Sequence, residues 1–267
     1  MTLVVGKGGV GRTTVARALA FAAVQQGERA ICVELAGDAG GGSAPPGSLV
    51  LDPADAVEAA ATPVFGSRRI ARALLGNFAI QRLFDVVPAI HEYALLVAAL
   101  ELTRTYARVV VDLPATGHGV AWLGIAGRLA RLVPSGVSHD QAARLDAALR
   151  APVTTALVVV TLPEPIVLAE TRVLRSALRA ELGRDADLLV VNRVPDVPVG
   201  ALQGARALGD PAAAQLAAWL GAREQVRTEA GAAAEGIAAV WLADHPTLPP
   251  VAALAAELLR PRASVTA

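Results

Sequence analysis

Short apolar runs alternate with longer segments of helical periodicity along most of the chain. Runs that predict buried strands lie at residues 3–5, 30–33, 108–111, 156–160 and 188–191, and 236–242 is a candidate sixth. Segments that predict helices lie at 13–25, within 53–102, after the turn 113–117, and at 166–182 and 251–259. Because the strands are apolar on both faces, we expect an α/β fold with a doubly wound, mostly parallel sheet and helices on both faces.

One segment between the predicted strands is loop-like and one is helical. Residues 36–49 are rich in Gly, Pro and Ser, which predicts a long loop. Asp52 and Pro53 then form an N-cap followed by proline at the first helical position. The block 53–102 reads as several helices, broken near Pro63 and Pro88, and is interpreted as a helical insertion after strand two. Without an internal repeat or a linker, residues 1–267 are expected to form a single domain.

Composition narrows the class of protein. Apolar residues make up 54% of the chain and aromatic residues only 3%, so the core must consist mainly of Ala, Leu and Val. The 24 basic and 24 acidic residues cancel, which gives no broad attraction to nucleic acid or to anionic membranes. A single cysteine, Cys32, excludes an internal disulfide and any metal site built from several cysteines. With no signal-like or membrane-spanning apolar run, we expect a cytoplasmic protein.

The strongest chemical motif lies between the first strand and the first helix, where residues 6–13 read Gly-Lys-Gly-Gly-Val-Gly-Arg-Thr. Its glycines fit the dinucleotide fingerprint Gly-x-Gly-x-x-Gly, with Glu34 near the position of a ribose-binding acid. The same residues fit a P-loop, Gly-x-x-x-x-Gly-x-Thr, in which Arg12 replaces the usual lysine. Both templates bind anionic phosphate on the backbone N–H groups at a helix N-terminus.

Two residue types favour the P-loop. Thr13 supplies a hydroxyl where Mg²⁺ requires one, and Asp112 ends a later strand, where an acid orients a metal-bound water. A dinucleotide site requires neither residue. The motif therefore favours a nucleoside triphosphate with Mg²⁺.

These motifs together resemble a known family. Residues 7–14, Lys-Gly-Gly-Val-Gly-Arg-Thr-Thr, resemble the deviant Walker A loop of the MinD, ParA and nitrogenase-iron-protein class. Residues 112–118, Asp-Leu-Pro-Ala-Thr-Gly-His, resemble the switch II signature of the arsenite-pump ATPase (ArsA) and tail-anchored-protein targeting ATPase family. Residues 160–164 and 190–194 are similar to the same branch, so the resemblance runs from about residue 4 to residue 194.

The resemblance implies that residues 1–267 form a single P-loop ATPase-like domain, a nucleotide-driven switch that binds ATP and Mg²⁺ and closes as a dimer over the nucleotide. It implies phosphate contacts from Gly8, Gly9, Val10, Gly11, Arg12, Thr13 and Thr14. It implies Mg²⁺ binding by Thr13 and, through water, by Asp112, which would also respond to the γ-phosphate. It further implies that Thr116, Gly117 and His118 relay that response and that Asn192 reads adenine.

The chain also departs from the family. Arg12 stands at the Walker lysine position, and the Asp-Pro-Ala-His stretch of switch I has no match after strand two. Residues 34–38 read Glu-Leu-Ala-Gly-Asp there, and whether Glu34 or Asp38 replaces the missing aspartate stays open. The cysteines for metalloid binding or a bridging zinc are absent. We therefore expect ATP hydrolysis by the isolated chain to be slow or absent.

Several functional readings stay open at this point. In the first reading, the chain is an ATPase-type switch that acts on an unidentified protein client. It would do so as a homodimer or as a heterodimer with a paralogous subunit. Alternatively, it is a non-catalytic regulatory or scaffold subunit of a paralogous ATPase. A dinucleotide-binding oxidoreductase is a third reading, but no catalytic pair supports it. Neither nucleic acid nor direct membrane insertion is expected.

Lysine usage adds one hypothesis. Lys7 is the only lysine among 24 basic residues, so the chain has kept a lysine at the signature position of the loop while Arg12 occupies the Walker position. In the resembling family this signature lysine reaches across the dimer to the partner's nucleotide. The hypothesis is that Lys7 acts catalytically in trans, on a nucleotide bound by the other subunit.

Overall fold

A computed structural model describes residues 1–35, 47–77, 89–194, 200–207, 210–244 and 251–259 of the chain; of residues 116–118 it describes only the backbone. Within these residues lie seven strands: β1 (Thr2–Gly6), β2 (Ala30–Leu35), β3 (Ser48–Leu51), β4 (Arg108–Asp112), β5 (Ala156–Thr161), β6 (Leu188–Val194) and β7 (Ala238–Ala243). They form one sheet in the order β3-β2-β4-β1-β5-β6-β7, and every pairing is parallel. The expected α/β fold with a parallel sheet is confirmed.

The helices connect and cover these strands. Those before β4 are α1 (Arg12–Gln25), α2 (Pro53–Phe65), α3 (Arg68–Leu75) and α4 (Ala89–Leu102). Those after β4 are α5 (Thr116–Leu123), α6 (Ile125–Leu132), α7 (Val137–Arg150), α8 (Pro165–Leu182), α9 (Ala201–Ala207), α10 (Pro211–Ala233) and α11 (Val251–Leu259). In the described part of the chain, none of them is both long enough and apolar enough to cross a bilayer.

Side chains of β1, the central strand, alternate between the two faces of the sheet and so contribute to two separate core clusters. Leu3 and Val5 of β1 pack into a large cluster with residues of α4, α7 and α8 on one face of the sheet. Val4 packs on the opposite face, in a smaller cluster with residues of α1 and α11. Successive side chains of a strand point to opposite faces, so a strand buried on both faces must be apolar throughout.

The segment after β2 differs from the sequence expectation. Strand β3 lies partly within the predicted loop 36–49 and pairs in parallel with β2 at the edge of the sheet. The helices of the block 53–102 therefore follow β3, and α4 buries Leu95 and Leu96 in the large cluster like the other connecting helices. A helical insertion after strand two is not confirmed. The predicted break near Pro88 lies outside the described residues, whereas α2 ends at Phe65, before Gly66 with φ 73°.

Candidate functional site

The turn between β1 and α1 requires glycine at several positions. A side chain at Gly6 would place its Cβ 2.5 Å from the carbonyl oxygen of Val160, on the neighbouring strand β5. Gly9 and Gly11 have φ angles of 84° and 91°, in the left-handed region that favours glycine. The sequence motif is therefore matched by backbone geometry that other residues would strain.

The same turn leaves space beside the start of α1. A Cβ at Gly9 would meet nothing within 4 Å, and one at Gly8 would meet only the Cβ of Ala115, at 4.0 Å. No acidic side chain lies in the first turn of α1, and Gly11, the N-cap residue, has no side chain to cap it. Backbone N–H groups at a helix N-terminus attract anions, so this end of α1 suits a phosphate group.

Thr13 and Asp112 come together at this end of the sheet. The Thr13 hydroxyl donates a hydrogen bond of 2.5 Å to Oδ2 of Asp112. Asp112 is the last residue of β4 and lies in register with Val4 of β1 and Glu34 of β2. The two side chains that the sequence assigned to Mg²⁺ binding are thus adjacent, although they are about a hundred residues apart.

Arg12 contacts the segment that follows β4. Its guanidinium Nη1 donates to the carbonyl oxygen of Leu113, the residue after Asp112. Arg12 and Thr13, successive residues of α1, therefore bond to Leu113 and Asp112, respectively. The Arg12 side chain thus connects the turn after β1 to Leu113, the first residue after β4.

Glu34 is held by a residue that sequence reasoning missed. Arg17, one turn after Thr13 on α1, donates from Nε and Nη2 to the two carboxylate oxygens of Glu34, at 2.8 Å each. The hydrogen bonds from Arg17 lower the pKa of the buried Glu34 carboxyl, and Ser48 contributes in the same direction. The four-residue spacing from Thr13 to Arg17 is the sequence signal, but the pairing depends on β2 lying two strands from β1.

Asn192 fastens the turn from the other side. It lies in β6, where its side-chain amide donates a 2.8 Å hydrogen bond to the carbonyl oxygen of Val10. Its Oδ1 accepts from the backbone N–H of Arg193 at 3.0 Å. A Cβ at Gly11 would come within 2.4 Å of the Asn192 Nδ2 atom. The structure therefore places Asn192 against the backbone of the turn.

The structure describes the side chains of some of the remaining predicted site residues but not of others. Lys7 lies on the surface, where its ammonium pairs with Glu170 of α8 at 2.7 Å, whereas the Val10 side chain is buried in the smaller core cluster. Thr14 lies in the first turn of α1. The structure places residues 116–118 at the start of α5, but their side chains lie outside the described part, as does Asp38.

Two further observations concern metal and thiol chemistry. Among the described residues, no group of three or more His, Cys, Asp and Glu side chains could hold a metal ion. Mg²⁺ does not require such a group, because it usually takes one or two carboxylates with phosphate oxygens and waters.

Cys32 is buried on β2, and burial raises the pKa of its thiol to about 12. It therefore packs as a small apolar residue.

Comparison with known proteins adds no family. The chain matches no protein-family model, and no curated protein matches it in sequence.

Proposed function

We propose that this chain binds ATP with Mg²⁺ as a P-loop switch protein of the ArsA-like branch, hydrolysing ATP slowly or not at all when isolated. The observation that carries the proposal is the hydrogen bond between Thr13 and Asp112. A hydroxyl at the start of the helix after a phosphate loop, bonded to an acid at the end of a neighbouring strand, is the donor set that P-loop proteins use for Mg²⁺. The sequence resemblance and the open helix N-terminus support the same reading.

Strand order favours a P-loop over a dinucleotide fold. The common dinucleotide-binding sheet has the order 3-2-1-4-5-6, in which the first strand pairs with the second. Here β4 lies between β1 and β2 and brings Asp112 beside the loop. Glu34, the candidate ribose-binding acid, already has both carboxylate oxygens bonded to Arg17. Both observations weaken the oxidoreductase alternative.

The residues present fit a magnesium nucleotide. Backbone N–H groups of residues 8–13 would hold the phosphates, and the open space at Gly8 and Gly9 leaves room for them. Thr13 would bind the metal through its hydroxyl, and Asp112 would bind it through water. The metal would neutralise negative charge on the phosphate oxygens when bound.

Slow hydrolysis follows from the same contacts. Arg12 carries a broad, planar guanidinium where a compact lysine usually reaches the β- and γ-phosphates, and its Nη1 bonds to Leu113. Glu34 is a poor general base while Arg17 holds both of its oxygens and lowers its pKa. These contacts also support the second candidate function, a non-catalytic subunit that regulates a paralogous ATPase as part of a dimer.

Calorimetric titration tests the proposal. We expect the chain to bind ATP in the presence of Mg²⁺ and to bind GTP and NAD more weakly. Asp112→Asn keeps the shape of the side chain and should remove most of the Mg²⁺ dependence. Thr13→Ala should likewise weaken the Mg²⁺-dependent binding, and Thr228→Ala, at a threonine of α10, is its matched control. Tight binding of NAD without binding of ATP would overturn the proposal.

A further inference from the structure

A cleft of about 350 Å³ lies at the carboxyl ends of β5, β6 and β7. It is separate from the turn after β1, because none of residues 6–25, all of which the structure describes, lines it. Ligands of open α/β sheets bind outside the carboxyl ends of the strands, and the cleft has the size of a small-ligand site. Both charged and apolar side chains line it.

The charged side chains of the cleft comprise two of each sign. Glu164 follows β5 and Asp244 follows β7. Arg193 lies on β6, between those two strands, and Arg223 lies on α10. Within the described part of the chain, none of these four side chains takes part in an ion pair. Because the four charges cancel, the cleft best matches a ligand that carries both signs and no net charge.

Arg193 and Asp244 lie beside each other at the ends of neighbouring strands. The backbone N–H of Asp244 donates a 2.7 Å hydrogen bond to the carbonyl oxygen of Val194, the residue after Arg193. Neighbouring strands are about 4.8 Å apart, so a guanidinium and a carboxylate are available within one strand spacing. The carboxylate and the ammonium group of an α-amino acid are similarly close, because both are bonded to the same carbon.

The backbone of β6 is distorted where Arg193 lines the cleft. The pairing of β6 with β7 shifts register between Val191 and Val194. Within that irregularity Arg193 has φ 54°, the only positive φ at a non-glycine residue in the described part of the chain. Bulges and positive φ angles are frequent beside functional sites, where they redirect side chains. The distortion is therefore consistent with a ligand-binding role for Arg193.

The apolar part of the lining includes an exposed tryptophan. Trp219 of α10 is 50% exposed, and the guanidinium carbon of Arg223, one turn further along α10, lies 3.8 Å from the centroid of its ring. This stacking holds Arg223 in place. The other apolar lining residues are Leu162, Pro163, Ala222 and Val226. Such a surface suits an apolar side chain or an aromatic ring that packs against the indole.

We propose that this cleft binds a small zwitterion, an α-amino acid with an apolar or aromatic side chain. Arg193 takes the carboxylate, Asp244 takes the ammonium group, and Trp219 packs against the side chain. The N–H groups of a guanidinium match the two oxygens of a carboxylate, and an ionised carboxylate accepts hydrogen bonds from an ammonium group. The inference does not rest on the proposed function, because no residue assigned to nucleotide binding lines the cleft.

Calorimetry with three related probes tests the recognition of charge. L-phenylalanine carries both charges, 3-phenylpropanoate lacks the ammonium group, and 2-phenylethylamine lacks the carboxylate. We expect L-phenylalanine to bind at least about 10-fold more tightly than either of the others, because each charged group adds its own hydrogen bonds. Equal binding of the three probes would show that the charges of the cleft recognise nothing and would overturn the inference.

A second comparison tests the apolar surface. L-leucine should bind as L-phenylalanine does, whereas glycine, which has no side chain to bury, should bind at least about 10-fold more weakly. L-leucine should also change the tryptophan emission of the wild type but not that of Trp219→Phe. Binding of L-leucine without any change in wild-type emission would place the ligand elsewhere and contradict the assigned site.

Two variants test the assigned partners separately. Arg193→Gln should weaken binding of L-phenylalanine and 3-phenylpropanoate by about 10-fold or more and leave 2-phenylethylamine unchanged. Asp244→Asn should weaken L-phenylalanine and 2-phenylethylamine to a similar degree and leave 3-phenylpropanoate unchanged. Arg206→Gln, at an arginine of α9 outside the lining of the cleft, is the matched control. If either variant weakened all three probes alike, the assignment of that residue to one ligand group would be wrong.

The outcomes separate this inference from the proposed function. If neither L-phenylalanine nor L-leucine binds with a Kd below about 1 mM, the amino-acid site is wrong whether or not ATP binds. If both amino acids bind with the expected dependence on Arg193 and Asp244 and ATP does not bind, the inference stands and the proposed function fails.

Discussion

Arg17 and Glu34 form a two-bond ion pair directly below the bond between Thr13 and Asp112. Thr13 and Arg17 lie one turn apart on α1, and their acceptors, Asp112 and Glu34, are register partners on β4 and β2. Two carboxylates on adjacent strands would repel each other if they were left without cations. The guanidinium therefore allows two acids to lie side by side at the carboxyl ends of β2 and β4.

Removal of Arg17 is expected to destabilise the fold. Glu34 is buried, so Arg17→Ala would leave a carboxylate without its charged donor and lower the free energy of unfolding by about 1–3 kcal/mol. The double variant Arg17→Leu with Glu34→Leu should be closer to the wild type, because it removes both charges. Urea unfolding monitored by circular dichroism measures the free energy of unfolding of the single and the double variant. Equal losses in the single and double variants would show that the pair itself is unimportant.

The same pair predicts a pH dependence. The pKa of Glu34 is lowered in the folded state, so its ionised form stabilises the fold above the pKa of the unfolded state, about 4.3. This contribution is lost as the pH falls below that value and through the lowered folded pKa. The difference in unfolding free energy between the wild type and Glu34→Gln should therefore be largest near neutral pH and shrink below about pH 4. A constant difference from pH 7 to pH 3 would contradict this prediction.

Gly11 is expected to tolerate no side chain. Gly11→Ala would strain a residue at φ 91° and would push a methyl group against the Asn192 amide, at a cost of about 1–3 kcal/mol or more. Asn192→Ala in the same chain should recover only the part due to the contact, because the strain of the positive φ would remain. Gly204→Ala, at a glycine with open space around it in α9, is the control. Thermal unfolding separates the three variants.

Turnover by the isolated chain is expected to be slow. The wild type should hydrolyse ATP below about 1 s⁻¹, the lower end of ordinary enzymes, because Arg12 and the paired Glu34 supply neither the usual lysine nor an available base. Arg12→Lys should strengthen ATP binding without restoring full turnover. A coupled phosphate-release assay measures the rate. A wild-type rate at or above 1 s⁻¹ would show that the site is catalytically complete.

Lys7 is expected to matter in a dimer and not in the folded monomer. Its pair with Glu170 is exposed, so Lys7→Ala should change unfolding free energy by less than about 1 kcal/mol. In a complex with a competent partner, however, Lys7→Ala should lower ATPase activity by about 10³-fold, the scale for a charge supplied in trans. Arg12→Ala should cost much less, and Glu170→Gln should retain activity. The reverse order of Lys7 and Arg12 would contradict action in trans.

The sequence predicted those parts of the molecule that depend on local pattern. Apolar runs located six of the seven described strands, and glycine spacing located the turn before α1. Strand β3 was missed because it has four half-buried residues beside a Gly-rich stretch. Helix α10 was missed because its alanine-rich sequence has little difference between its faces.

The sequence alone did not predict the contacts between residues that lie on different elements of the fold. Arg17 and Glu34 meet because of the strand order, which no local pattern encodes.

The central position of β1 has a consequence for how the protein is made. Thr2 pairs with Val110 on one side and with Ala156 on the other, so both neighbours of the first strand are synthesised long after it. At about 5–20 residues per second, a ribosome needs on the order of 10–30 s before β5 is available. Until β4 has been synthesised, Leu3, Val4 and Val5 have neither neighbouring strand to pair with, and until β5 has been synthesised one edge of β1 stays without its partner strand. Such long-range pairing slows folding, so the turn between β1 and α1 should reach its final geometry late in synthesis.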